Sequence, residues 1–274
     1  MIRRPLPWGI SLAAALLFLS PLLWMLGGSF APESSIFTSP LGISSLKEVS
    51  FQNYSDAWRR ANLGLALFNS LLQVAGILGL GLIINSMAAF AFARLTFRGR
   101  DIVFMLVVGL MILPMEVLVI PLFLTAKDLH LTGPYPNVMA GLILPFTAKA
   151  VNIFFLRQHF LSLPTETEEA ALIDGAGWFR MYSSIALPSI RPALSTVIVL
   201  DLITHWSDFL WPLVICTREE TRTVQIALAN LFTQPPVQWG DILACSVILT
   251  LPVLLIFRFA QRHLVASDLG AGNK

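Results

Sequence analysis

The sequence predicts an all-α membrane protein of six transmembrane helices, with a cytoplasmic insert between the fourth and the fifth. Two observations predict it. The 274 residues are 56% hydrophobic and only 12% charged, with a mean hydropathy of +0.75, which is more apolar surface than a soluble domain of this length can bury. Six apolar runs are also long enough to cross a ~30 Å hydrocarbon core, which takes about 20 residues: approximately 9–30, 67–93, 102–125, 137–156, 192–215 and 241–262.

The first run follows Arg3 and Arg4 as a secretory leader would. It exceeds the roughly 7 to 15 apolar residues of a leader, and further spans follow, so it reads as an uncleaved anchor. If the spans alternate, one side collects Arg3, Arg4, Arg94, Arg98, Arg100, Arg157, Arg180, Arg191, Arg258, Arg262 and Lys274, 11 of the 18 cations. The other side holds six, and Lys149 falls inside the fourth run. The positive-inside rule then places both termini in the cytoplasm. Loops 31–66 and 216–239 lie outside, and the insert 157–191 is cytoplasmic. The chain reads as a single transmembrane domain, 1–274, with that loop inside it.

Several chemistries are excluded at this stage. A net charge of +2, with cations in short clusters between apolar runs, offers no footprint for nucleic acid. Cys216 and Cys245 fit no metal-ligand spacing, and the four histidines are scattered, so no metal site is expected and the cysteines read as free, buried thiols. There is no G-x-x-x-x-G-K-[ST] loop, nor any Gly-Lys pair, so the chain itself has no phosphate cradle for ATP. No catalytic residues and no bound cofactor are expected.

In the insert, Thr165 and Glu168 have the spacing of a capping box, with Pro164 just ahead and Glu166, Glu168 and Glu169 in the first turn, where the helix dipole favours anions. Gly175 is placed to end this helix in the left-handed conformation. A second short helix, "WFRMYSSIALP", presents Trp178, Phe179, Met181, Tyr182 and Ile185 and stops at Pro188. Composition leaves two readings open: an amphipathic hairpin resting on the membrane or bundle, or a helix offered to a partner's groove.

The fifth run is the most polar. Asp201, His205 and Asp208 are spaced i, i+4 and i+7, which on a continuous helix puts them on one face. A charge at mid-bilayer costs at least ~2.5 kcal/mol, so that face should look into the bundle or a wet cavity. Lys149 and Asn152 of the fourth run are positioned to face it, and Asp201 is expected to pair with Lys149. Asn69, Asn85 and Glu116 are weaker candidates for the same route. Pro114, Pro145, Pro212 and Pro252 lie in or near spans, where they kink helices or are merely tolerated.

Glu169-Ala170-Ala171, three residues, Gly175, nine residues, then Ile185-x-Leu187-Pro188 resembles the EAA loop of binding-protein-dependent ABC importer permeases. The likeness extends through "FNSLLQV", "AAFAFARLTFRGRDIVF", "MILPMEVLVIPLF", "HWSDFLWPLVI" and "WGDILACSVILTLPVLLIFRFAQRHLV", and is similar to the carbohydrate-uptake class. The resemblance implies a coupling helix that docks on a separate ATPase, with Glu169, Ala170, Ala171, Asp174 and Gly175 at the matching positions. It further implies a second homologous permease, an ATPase dimer that binds ATP and Mg, an extracytoplasmic solute-binding protein and a bacterial inner membrane.

For a sugar, carboxylates, amides and an indole on a cavity wall are suited chemistry. Lys149, Asn152, Asp201, His205, Trp206, Asp208 and Trp211 are the pathway candidates, with Trp206 and Asp208 foremost. The same polar groups would equally serve to tie helices together. Where the family often has Asn after the first Trp of this motif, this sequence has Ser207. A same-type permease for a non-sugar solute, a proton-coupled carrier using Asp201, His205 and Asp208 as a relay, and a membrane scaffold that anchors a cytoplasmic protein are the competing expectations.

Overall fold

The computed structural model describes residues 8–39, 49–164, 166, 169, 171 and 175–271. All regular structure among them is helical. Helix α1 spans Trp8–Gly28, α2 Gln52–Arg60 and α3 Leu63–Arg94. Helices α4 (Arg100–Gly109) and α5 (Met115–Asp128) follow, then α6 (Asn137–Ile143) and α7 (Ala150–Leu161). The helical segment Trp178–Ser189 is α8, continued by α9 (Arg191–Trp206), α10 (Leu210–Ile215), α11 (Val224–Leu231) and α12 (Trp239–Ala271).

Three helices, α1, α3 and the Trp239–Arg258 part of α12, are long and apolar enough to cross a membrane unbroken. At 1.5 Å per residue the 21 residues of α1 match the hydrocarbon thickness. Three further helix pairs are bent at a break, α4 with α5, α6 with α7 and α8 with α9, and counting each pair as one span brings the total to as many as six. The third run differs most from a straight helix: α4 and α5, with the 3₁₀ turn Leu110–Ile112, meet at 109°. Pro114 has no N–H, and it drives Leu113 out of the helical region to φ −78°, ψ 118°, as the residue before a proline prefers. The fourth run bends by 45° where Pro145 sits in a 3₁₀ turn and Lys149 is extended. Residues 192–215 are likewise interrupted, at Ser207–Phe209 between α9 and α10.

The chain divides into two compact units. In the first, residues 1–67 and 224–254, Gly28 lets the end of α1 approach Leu243; a Cβ there would lie 2.5 Å from the Leu243 Cδ1. The start of α12 is held by polar groups. Glu33 accepts from the Trp239 and Gly240 amides at 3.0 and 3.1 Å, an anion at a helix N-terminus. Arg60 of α2 pairs with Asp241 at 2.6 Å and donates to the Gln234 and Pro236 carbonyls. Asn53 donates to the Ser29 and Ala31 carbonyls.

The second unit, residues 68–223 and 255–274, has two apolar clusters. One gathers Ala89, Phe90, Leu156, Phe160, Met181 and Ala186 from α3, α7 and α8, with Ile190, Ala193 and Val197. The other gathers Val119, Leu142, Trp211 and Ile215 from α5, α6 and α10. Cys216 and Cys245 are free and buried.

Candidate functional site

A polar cluster in the second unit is built on the break between α6 and α7. The chain leaves helical geometry at Lys149, φ −118° and ψ 115°, so the amides around it need partners from elsewhere. Asn85 of α3 supplies one: the Lys149 backbone N–H donates to Asn85 Oδ1 at 2.9 Å.

From this fixed backbone the Lys149 side chain reaches Asp201 on α9, with Nζ 2.7 Å from Oδ1. The expected ion pair is present. The Asp201 side chain is 8% exposed and that of Lys149 is 32%. The second carboxylate oxygen accepts from the Asn152 amide. Each oxygen of the buried carboxylate is thereby engaged, the condition under which a charge persists in a low-dielectric setting.

His205 lies one turn beyond Asp201 and is buried, its ring 5.2 Å from that of Phe146. Neither ring nitrogen has a hydrogen-bond partner among the described residues. Trp211 is buried with its indole N–H donated to the Gly141 carbonyl at 3.1 Å, and Gly141 is needed there because a Cβ would stand 2.2 Å from the Leu131 oxygen. Trp206 is buried as well.

Asp208 departs from the expected single face. Helix α9 ends at Trp206 and its C-cap is Ser207, so Asp208 is not the i+7 partner of Asp201 on one helix. Its carboxylate instead faces the Trp211 amide at 3.4 Å, at the start of α10. The proton relay along one uninterrupted face loses its third member for this reason. The Ser-Asp pair, with side chains that compete for backbone amides, was the signal for the break.

Of the weaker candidates, Asn85 belongs to the cluster through its bond to Lys149. Asn69 is engaged elsewhere: it donates to the Glu220 and Arg222 carbonyls at 3.0 and 2.8 Å and accepts from the Tyr135 hydroxyl. Glu116 is exposed in the first turn of α5.

In the insert, Glu166, Glu169 and Ala171 are helical. Ala170, Asp174 and the Thr165 and Glu168 capping box lie outside the described residues. Gly175 takes the left-handed conformation, φ +77°, and the Ala176 amide donates to the Ala171 carbonyl at 2.9 Å. That six-to-one bond is the C-terminal closure expected of the glycine. Glu169 is exposed and Ala171 buried.

The second half of the insert packs partly against the bundle, one of the readings composition left open. Trp178 and Phe179 are exposed, but Met181 and Tyr182 point into the apolar cluster with α3 and α7. A π-helical turn covers Tyr182–Ala186, and the helix ends at Ser189, one residue beyond Pro188.

Comparison with known proteins decides the family. Residues 77–267 match the family of binding-protein-dependent transport system inner membrane components. The chain belongs to that family. It is 34% identical over 262 residues to the arabinooligosaccharides transport system permease protein AraQ of Bacillus subtilis (strain 168), covering 95% of this chain and 92% of that one. The diacetylchitobiose uptake system permease protein NgcG of Streptomyces coelicolor is 32% identical over 251 residues, or 90% and 81% of the two chains. In structure, the chain matches that of a bacterial ABC transporter involved in the import of the acidic polysaccharide alginate, with a TM-score of 0.79 at 23% identity over 93% and 95% of the two chains. This inner membrane component is thus a multi-pass, all-α permease of a transport system that works with a solute-binding protein.

Proposed function

We propose that this chain is the transmembrane permease subunit of an ATP-driven importer for a sugar or sugar-like solute. It lines the translocation pathway together with a second, homologous permease, and two copies of a separate ATPase bind ATP and Mg and do the hydrolysis. The chain catalyses no reaction of its own and functions as one transmembrane domain. Both termini and the 157–191 loop lie in the cytoplasm of a bacterium, and the solute-binding protein approaches from the opposite face.

Support for the solute class comes from the relatives that transport arabinooligosaccharides and diacetylchitobiose. The observation that carries the coupling role is the insert itself: an exposed Glu169 on a helix closed by left-handed Gly175, beside the exposed rings of Trp178 and Phe179. Glu169, Ala170, Ala171, Asp174 and Gly175 dock on the ATPase. Lys149, Asn152, Asp201, His205, Trp206, Asp208 and Trp211 line or support the solute route.

ATP-dependent uptake of a radiolabelled sugar panel tests the proposal, in proteoliposomes holding the chain with its permease, ATPase and binding-protein partners. Glu169→Lys and Gly175→Trp are expected to abolish uptake and to release the ATPase in a pull-down. Normal transport by both variants, with the ATPase attached, would overturn the docking role. A system that moves no sugar while moving another solute class would overturn the solute assignment.

A further inference from the structure

Two neighbouring residues of α3 face different parts of the molecule. Ser86 Oγ and the Tyr182 hydroxyl of the insert are 2.7 Å apart and buried. Ser86 donates its own proton back to the Leu82 carbonyl, so Tyr182 is the donor and Ser86 the acceptor in the bond between them. Asn85, one residue earlier, accepts from the Lys149 backbone amide. The Tyr182–Ser86 bond is buried and the Lys149–Asn85 bond partly so, and a link out of water is strongest and its loss most costly.

Packing makes this a rigid connection. The Tyr182 ring lies 5.4 Å from Phe90 of α3, and Phe90 lies 5.5 Å from Phe160 of α7. Close-packed side chains transmit displacement because they cannot be compressed. A second route leaves the insert through the backbone: α8 turns by 77° at Ile190 into α9, which carries Asp201. One route therefore ends on the backbone of Lys149 and the other on Asp201. They meet at the 2.7 Å ion pair.

We propose that Tyr182, Ser86 and Asn85 are positioning residues that deliver movement of the docked insert to the Lys149 break, so that the Lys149–Asp201 pair registers any difference between this route and the one through α9. The proposal rests on the insert being the ATPase docking element. The role proposed for the three residues requires no contact of theirs with solute or nucleotide. Their effect is on how much solute moves per ATP hydrolysed, through an element with two discrete arrangements that both ends bias.

The experiment compares wild type with Tyr182→Phe, Ser86→Ala, Asn85→Leu and Asn85→Asp in the complete reconstituted importer, reading solute transported per ATP hydrolysed alongside ATPase co-purification and thermal melting. Tyr182→Phe, Ser86→Ala and Asn85→Leu are expected to keep the ATPase bound and hydrolysing while solute moved per ATP falls by about fivefold, in the range of ordinary coupling effects. Asn85→Asp keeps the acceptor oxygen and should retain most of the ratio, which a loss of packing alone would not predict. A wild-type ratio in Tyr182→Phe and Ser86→Ala with the ATPase attached overturns the relay and leaves the docking role standing. Failure of the wild-type chain to retain the ATPase overturns both.

Discussion

Lys149 and Asp201 form an ion pair of 2.7 Å between a broken helix and an unbroken one. The lysine stands where α7 begins and the aspartate within α9, so the bond ties the break between α6 and α7 to a continuous helix. Asn152, one turn into α7, holds the same carboxylate. The lysine remains a third exposed, and water screens that end of the pair.

Removing one partner should cost more than removing both. Lys149→Met strands a carboxylate that is 8% exposed, and the expected loss is about 2 kcal/mol once screening at the lysine is discounted. Lys149→Met with Asp201→Leu should recover to within about 1 kcal/mol of wild type, because no buried charge is left unpaired. Thermal melting of the purified, detergent-solubilised protein reads both. Equal losses would mean that the pair contributes through packing and not charge.

If solute passes the pair, its charge balance sets what is admitted. Asp201→Asn keeps the shape but leaves the Lys149 cation unpaired. Uptake of an acidic sugar relative to its neutral analogue is expected to rise by about tenfold, corresponding to a little over 1 kcal/mol of new attraction at a partly screened site. Competition uptake with matched neutral and acidic oligosaccharides measures the ratio. No change would place the route elsewhere.

Arg60 and Asp241 anchor the start of α12 in the first unit, and the Asp241 side chain is 1% exposed. Arg60→Ala removes its only ion-pair partner among the described residues and should lower stability by about 2 kcal/mol. Asp241→Asn, which removes the charge needing a partner, should cost less. Melting curves of the two variants give the order, and the reverse order would count against a desolvated carboxylate at this position.

Glycines separate crowding from backbone strain. Gly141→Ala forces a Cβ to 2.2 Å from a carbonyl oxygen and disturbs the carbonyl that holds Trp211, so a loss of about 3 kcal/mol is expected. Gly175→Ala meets open space but a φ of +77°, for a cost of roughly 1–2 kcal/mol. Gly79→Ala lies within a helix with nothing close to the new methyl and should be neutral or stabilising. Expression level and melting temperature of the three variants test that ranking.

Length and apolarity made the membrane class, the positions of the apolar runs, the left-handed Gly175 and the Lys149–Asp201 pair legible, since each depends on composition or on a single local requirement. The breaks were harder to see. Hydropathy averages over a window, so a run of apolar residues looks alike whether the helix is straight or turns by 109° at Leu113-Pro114. Asp208 was misplaced because the i+7 rule presumes a continuous helix, and Ser207 ends it. Whether Met181 and Tyr182 meet the bundle or a partner stayed open in the sequence, because amphipathicity in a short helix does not say which apolar residues pack inward. The π turn ahead of Pro188 has no sequence period of its own.

Cys216 and Cys245 are both buried and unpaired, which gives the molecule a quiet background for site-directed spectroscopy. A single cysteine introduced at an exposed position of the insert outside the docking set, such as Glu166, would be the accessible nucleophile for a fluorophore or spin label, with the native thiols shielded. The distance between such a probe on the insert and one on a partner subunit could then be followed through the nucleotide cycle without first building a cysteine-free protein.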